Sequence, residues 1–115
     1  MHEAGIANTI LEAGRAEAAR LAGARLTRIG VRVGVLSGVD LQALEFALLA
    51  VRVGTDLEHV EIDLQSCPRR NRCVSCGYEF EAADSDEPCP GCAGEKMELI
   101  GGNELELSFV EVDEG

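Results

Sequence analysis

Four cysteines carry the plainest chemistry in the chain. Cys73-x2-Cys76 and Cys89-x2-Cys92 lie 12 residues apart within CVSCGYEFEAADSDEPCPGCAG. Two residues between paired cysteines let both sulfurs reach one metal. Gly77 follows the first pair and tolerates the dihedrals that turn backbone amides toward thiolates. Four thiolates suit tetrahedral Zn²⁺ at about 2.3 Å each, a closed structural site with no open position for reaction. Tyr78 and Phe80 are two of the few aromatics and are expected to shield it. A module of roughly 30 residues is too small to fold on apolar burial alone, so the metal supplies its main folding energy.

Two other readings of this motif belong to different classes. The rubredoxin-like module attached to rubrerythrins also reads Cys-x2-Cys-Gly-Tyr and then Cys-Pro-x-Cys; such a site holds iron and carries electrons. A di-iron partner would show Glu-x-x-His pairs on helices, and the chain contains none. The second alternative is a zinc ribbon that binds nucleic acid, with RRNR at 69–72 as its basic patch. Three arginines stand there against 21 acidic residues and a net charge of −11. Such a chain is repelled by phosphate backbones and anionic membranes. The arginines are expected instead to offset charge beside a zinc site whose thiolates leave it at about −2. Cys67, just before Pro68, reads as a spare thiol at a strand end; auxiliary ligand and redox switch are the sharper alternatives.

The elements that must position this module surround it. An apolar stripe of Ala7, Ile10, Leu11, Gly14, Ala18, Leu21 and Ala22 marks a helix from residue 5 to about 23. LTRIGVRVGVL alternates, with Thr27, Ile29, Val31, Val33 and Val35 on one face of a strand. SGVD then opens a second helix, LQALEFALLAVRV, through a capping-box-like pattern. That helix is apolar almost all round, which predicts burial on all sides. HVEIDLQ is a second strand with Val60, Ile62 and Leu64 inward, and ELELSFVEV a third. The fold class is therefore α+β: a small three-stranded sheet with two helices, interrupted by an inserted four-cysteine, zinc-ribbon-like module. Residues 1–66 and 101–115 form one discontinuous α/β domain, and 67–100 form the zinc-binding module.

Composition narrows the rest. The chain has 115 residues, enough for one domain and a small appendage, and is 46% hydrophobic with no Trp; its core must come from aliphatic side chains. No apolar run approaches the roughly 18–20 residues of a membrane span, and no export signal opens the chain. Five cysteines without such a signal favour metal ligation over disulfides. The expected compartment is the cytoplasm.

An α/β domain interrupted by a four-cysteine module, and beginning Met-His-Glu, resembles the HypA-type nickel metallochaperones of hydrogenase and urease maturation. The resemblance runs through MHE, the first helix, VRVGVLSGVD, CVSC...CPGC and IGGNELELSFVEV, and so covers essentially the whole chain. It implies a nickel carrier for the [NiFe] hydrogenase with no catalytic activity of its own. It also implies two partners, a HypB-type nickel GTPase and the hydrogenase large subunit, with neither nucleic acid nor membrane.

Met1, His2 and Glu3 become the candidate nickel ligands under that resemblance, and their chemistry agrees. A bulky His2 should leave Met1 in place, supplying an α-amine of reference pKa near 7.7–8.0. His2 adds an imidazole nitrogen and an amide, and Glu3 another amide. Nitrogen donors in a tetragonal set favour Ni²⁺ or Cu²⁺. With histidine in second place the imidazole closes a seven-membered ring to the Glu3 amide. In third place it would close a six-membered one. The expectation is a weaker, more adaptable site, suited to release of cargo. Family members thought to recruit a further histidine from the zinc module have no counterpart here, since 67–100 contain none. Asp40 reads as the cap of the second helix, and His59 as a surface residue.

Overall fold

The computed structural model describes residues 3–21 and 24–113. Its elements follow in the order α1 (Glu3–Ala19), β1 (Arg25–Gly34), α2 (Leu41–Val51), β2 (Glu61–Cys67), β3 (Arg70–Cys73), β4 (Glu79–Glu81), β5 (Met97–Gly101) and β6 (Leu105–Asp113). They build two three-stranded sheets, one ordered β2-β1-β6 and the other β4-β3-β5. The molecule is elongated. Its radius of gyration is 17.7 Å, against about 13 Å for a compact chain of this length.

The first sheet has β1 at its centre, parallel to β2 and antiparallel to β6. A parallel pair needs a crossover, which α2 and its flanking turns supply. The core lies between this sheet and the two helices. Ala7, Ile10, Leu11 and Ala18 of α1 meet Ile29, Val31 and Val33 of β1 and Leu44, Ala47 and Leu48 of α2. Gly14 lets α1 approach β1 closely, since a Cβ there would stand 3.1 Å from the Ile29 side chain. Val60 is buried, while Ile62 and Leu64 pack half-buried against the same core. The alternation of β2 therefore faces inward as expected.

Several sequence expectations are corrected. The first helix ends at Ala19, so Leu21 falls beyond it and is 48% exposed; Ala22 lies outside the described residues. On β1, Leu26 is buried and Thr27 only half-buried. A bulge between Leu26 and Arg28 shifts the alternation by one residue, and Thr27 Oγ1 donates to the Glu111 carbonyl instead. Val35, expected inward, lies past the end of β1 and is 60% exposed. Helix α2 is not buried all round. It packs on α1 and β2, but among the described residues no layer covers its far side, where Phe46 is 75% exposed. His59 precedes β2 in an exposed turn rather than on the strand. The helix cap is Asp40 itself, whose carboxylate accepts from the Ala43 amide at 3.0 Å, while Ser37 accepts from Val39.

The second sheet was not legible as strands. Its inward residues on β3 are Asn71 and Cys73, not aliphatics. A small core of Cys73, Phe80 and Cys89, with Ala82 and Met97 against it, replaces an aliphatic one. Asn71 is fully buried. It accepts from Arg69 Nε at 3.1 Å and donates to the Asp84 carbonyl at 3.3 Å, tying β3 to the loop that leads to the second cysteine pair.

Candidate metal centre

Each cysteine pair is set by a backbone turn. Cys73 ends β3, and its N–H donates to the Tyr78 carbonyl while its own carbonyl accepts from Gly77. Gly77 has φ +80°, where a side chain would be strained. The second pair repeats the device: Ala93 N–H donates to the Cys89 carbonyl, and Cys89 N–H to Gly94. Here the left-handed residue is Ala93, with φ +62°.

These turns bring Cys73, Cys76, Cys89 and Cys92 together. Their sulfurs all lie within 4.8 Å of one another, with Cys73–Cys92 and Cys76–Cys89 each at 3.6 Å. Four sulfurs at about 2.3 Å from one centre are about 3.8 Å apart along each tetrahedral edge. Those two separations match a Zn²⁺-sized tetrahedron, and the whole set is compact enough to share one ion. None of the five cysteines is in a disulfide. The amide of Gly91 already points at Cys89 Sγ at 3.3 Å, a bond that stabilises thiolate character.

The thiols are unequal. Backbone amides, chiefly that of Cys76, lower the Cys73 thiol to about 7. The Gly94 amide pulls on Cys92 too, but bonds with the Cys73, Cys76 and Cys89 thiols outweigh it and push Cys92 up to about 12. Cys76 is raised as well: the Tyr78 amide is the strongest single influence and lowers it, but the bonds with Cys89 and Cys73 together with burial outweigh it. Metal-free, the cluster holds protons between its sulfurs that a divalent cation would displace.

The aromatics shield it unevenly. Phe80 is buried, whereas Tyr78 is half-exposed, stacked on Phe80 at 6.0 Å and laid near Gly91. Two of the three arginines of RRNR, Arg69 and Arg72, have local partners. Arg72 bonds Glu79 at 3.1 Å and Glu98 at 3.0 Å, and Arg69 bonds Asn71. Arg72 thus neutralises carboxylates on the neighbouring strands β4 and β5 rather than the thiolates. Cys67 ends β2, buried and away from the four-sulfur cluster.

Of the other candidate ligands, Met1 and His2 lie outside the described residues. Glu3 opens α1 and is half-buried. Beside that first turn Gly5, Ile6, Thr9, Ile10 and Leu105 line an apolar cleft of about 330 Å³. Among the described residues no helix is long and apolar enough to cross a membrane.

Comparison with known proteins agrees with this architecture. A family model described as hydrogenase/urease nickel incorporation, metallochaperone, HypA matches residues 1–112. The hydrogenase maturation factor HypA of Geobacter metallireducens is 34% identical over 113 residues, spanning 98% of this chain and 100% of the relative. That of Polaromonas naphthalenivorans is 35% identical over 107 residues, 93% of each chain. The fold matches the solution structure of the Ni metallochaperone HypA from Helicobacter pylori, with a TM-score of 0.65 and 19% identity over 96% of this chain and 97% of that one. A second HypA solution structure gives 0.73, with 20% identity over 100% and 98%.

Proposed function

The chain belongs to the HypA family of hydrogenase/urease nickel-incorporation metallochaperones, and from that premise we propose that it carries Ni(II) to the maturing [NiFe] hydrogenase and catalyses no reaction itself. The observation that carries this reading is the family match over residues 1–112, which takes in both Met-His-Glu and the four-cysteine cluster.

In this proposal nickel is cargo, held by the Met1 α-amine, the His2 imidazole and the backbone amides of His2 and Glu3. The start of α1 at Glu3 supports that donor set. The first four N–H groups of a helix have no acceptor within it, so giving up the Glu3 amide proton costs no helical hydrogen bond. The helix dipole opposes a cation at this end, while the deprotonated amides and the Glu3 carboxylate offset it. Zinc, held by Cys73, Cys76, Cys89 and Cys92, supplies folding energy to its module. Residues 1–66 with 101–115 act as the nickel-binding part and 67–100 as the zinc module. The partners proposed are a HypB-type nickel GTPase and the hydrogenase large subunit, met in the cytoplasm.

The test is a chain extended by one glycine ahead of Met1, which blocks the α-amine. Nickel titration followed by calorimetry should lose its high-affinity phase while zinc content stays at one per chain. Unchanged nickel affinity removes the amino-terminal site from the mechanism.

A further inference from the structure

Strand β6 lies at the rim of its sheet. Among the described residues it pairs with β1 alone, so one side of its main chain has no strand beside it. Hydrogen bonds at the end of β1 settle which groups face out. Gly34 N–H donates to the Glu104 carbonyl and Val35 N–H to that of Cys67. Even-numbered residues there turn their main chain toward β6, and odd-numbered ones toward β2. Glu106, opposite Arg32, therefore bonds inward, while Leu105 and Leu107, opposite Val33 and Val31, present N–H and C=O groups to the open rim. The register shift at Ser108 ends this stretch, so the rim accommodates a short segment.

The two faces of that rim differ. On the helix side Leu105 shares with Gly5, Ile6, Thr9 and Ile10 the apolar cleft of about 330 Å³. A residue paired opposite Leu105 directs its side chain there, because cross-strand partners share a face. The other face is acidic. Glu106 stands 3.6 Å from Arg32, whose guanidinium is shared with Glu104 at 3.8 Å, and Glu111 is 3.8 Å from Arg28. These separations are longer than a hydrogen bond, and the Glu106 and Glu111 side chains are half-exposed. No basic residue lies on β6 itself. A second copy paired here would set carboxylate against carboxylate, in a chain whose net charge is already −11; lysine or arginine on an incoming strand meets opposite charge.

We propose that the β6 rim docks an extended segment of a partner protein in which basic residues alternate with apolar ones. The segment adds a fourth strand to the sheet beside Leu105–Leu107. Its apolar side chains enter the cleft against α1, and its basic ones lie over Glu106. Main-chain bonds supply affinity, while the alternation supplies selectivity.

The test uses a capped six-residue peptide alternating lysine and valine, titrated into the isotope-labelled, zinc-loaded chain. Amide hydrogen exchange should slow at Leu105 and Leu107 and stay unchanged in α2. The valine N–H groups are those that face β6 in this register. Methylating the valine nitrogens should weaken binding at least about tenfold, whereas methylating the lysine nitrogens should leave it nearly intact. Glu106→Lys should weaken it about threefold, and Thr9→Arg, which fills the cleft from an exposed helix position, should weaken it as well. Equal binding by both methylated peptides, or by a peptide alternating glutamate and valine, overturns the proposal. So does protection of Leu105 and Leu107 that grows with protein concentration in the absence of peptide, since a second copy then fills the rim. Neither nickel nor its ligands enter this readout, so it fails independently of the carrier role.

Discussion

Gly34 and Gly102 meet backbone to backbone. A Cβ on Gly34 would overlap the Gly102 carbonyl. Around this contact, Gly34 N–H donates to the Glu104 carbonyl at 2.7 Å, Val35 N–H to Cys67 at 3.0 Å and Leu36 N–H to Gly102 at 2.6 Å. The end of β1 thus grips both passages of chain between the two sheets. Gly102 itself has φ +111°, and a Cβ there would stand 2.8 Å from the Arg69 Cα.

Gly34→Ala should therefore cost more than about 2 kcal/mol, since only backbone can yield. Gly30→Ala is the control. Its Cβ would meet the Phe109 ring, but that ring is 39% exposed and can swing outward, so the cost should stay near or below about 1 kcal/mol. Urea denaturation followed by circular dichroism would rank the two, and equal losses would contradict the contact described.

The cysteine turns make an opposed pair of predictions. Gly77→Ala places a side chain at φ +80° with nothing within 4 Å to clash, so its cost is conformational alone, about 1 kcal/mol. Ala93→Gly relieves the same strain in the second turn and should strengthen zinc binding by up to about 1 kcal/mol. Competition against a chromophoric chelator measures both. Opposite signs are expected.

Zinc removal should unfold β3, β4 and β5 while leaving β1, β2 and β6 protected, because the second sheet's core includes two of the ligand cysteines. Amide hydrogen exchange with and without a chelator would show it. The pH dependence follows from the protons. With Cys92 pushed up to about 12 and Cys73 near 7 when metal-free, zinc binding at neutral pH expels protons. Affinity should rise with pH and fall on acidification. A pH-independent affinity would contradict thiolate ligation.

Exchanging His2 and Glu3 puts histidine in third place, where the imidazole closes a six-membered ring. Nickel should bind about tenfold more tightly, ~1.4 kcal/mol, and leave more slowly for a HypB-type acceptor. Stopped-flow transfer measures this, and faster release would refute the ring-size argument.

Long, half-buried elements were legible in the sequence. The alternation of β2 and the stripe of α1 each need one face in a core, and a period of two or 3.6 declares it. The bulge at Thr27 was not, because an inserted residue is a property of pairing with β6. Helix α2 misled for a related reason. An apolar residue such as Phe46 is written alike whether its neighbour is the core or open solvent. The short strands escaped because their inward positions are held by a buried amide and by cysteines, whose partners are hydrogen bonds and a metal rather than apolar area. The four-cysteine cluster was fully legible, since two-residue spacing fixes both sulfurs locally. The pairing of Arg72 beside it was not, for its partners Glu79 and Glu98 come from strands invisible in the sequence.

Because Cys67 and Gly102 are bonded to Val35 and Leu36, the two residues that follow β1, everything between them departs from and returns to practically one spot. Such an insertion resembles a bud on a stem. A lineage could lengthen it, shorten it or replace it by a tight turn without rerouting any strand of the parent sheet, which leaves the two halves free to diverge at different rates.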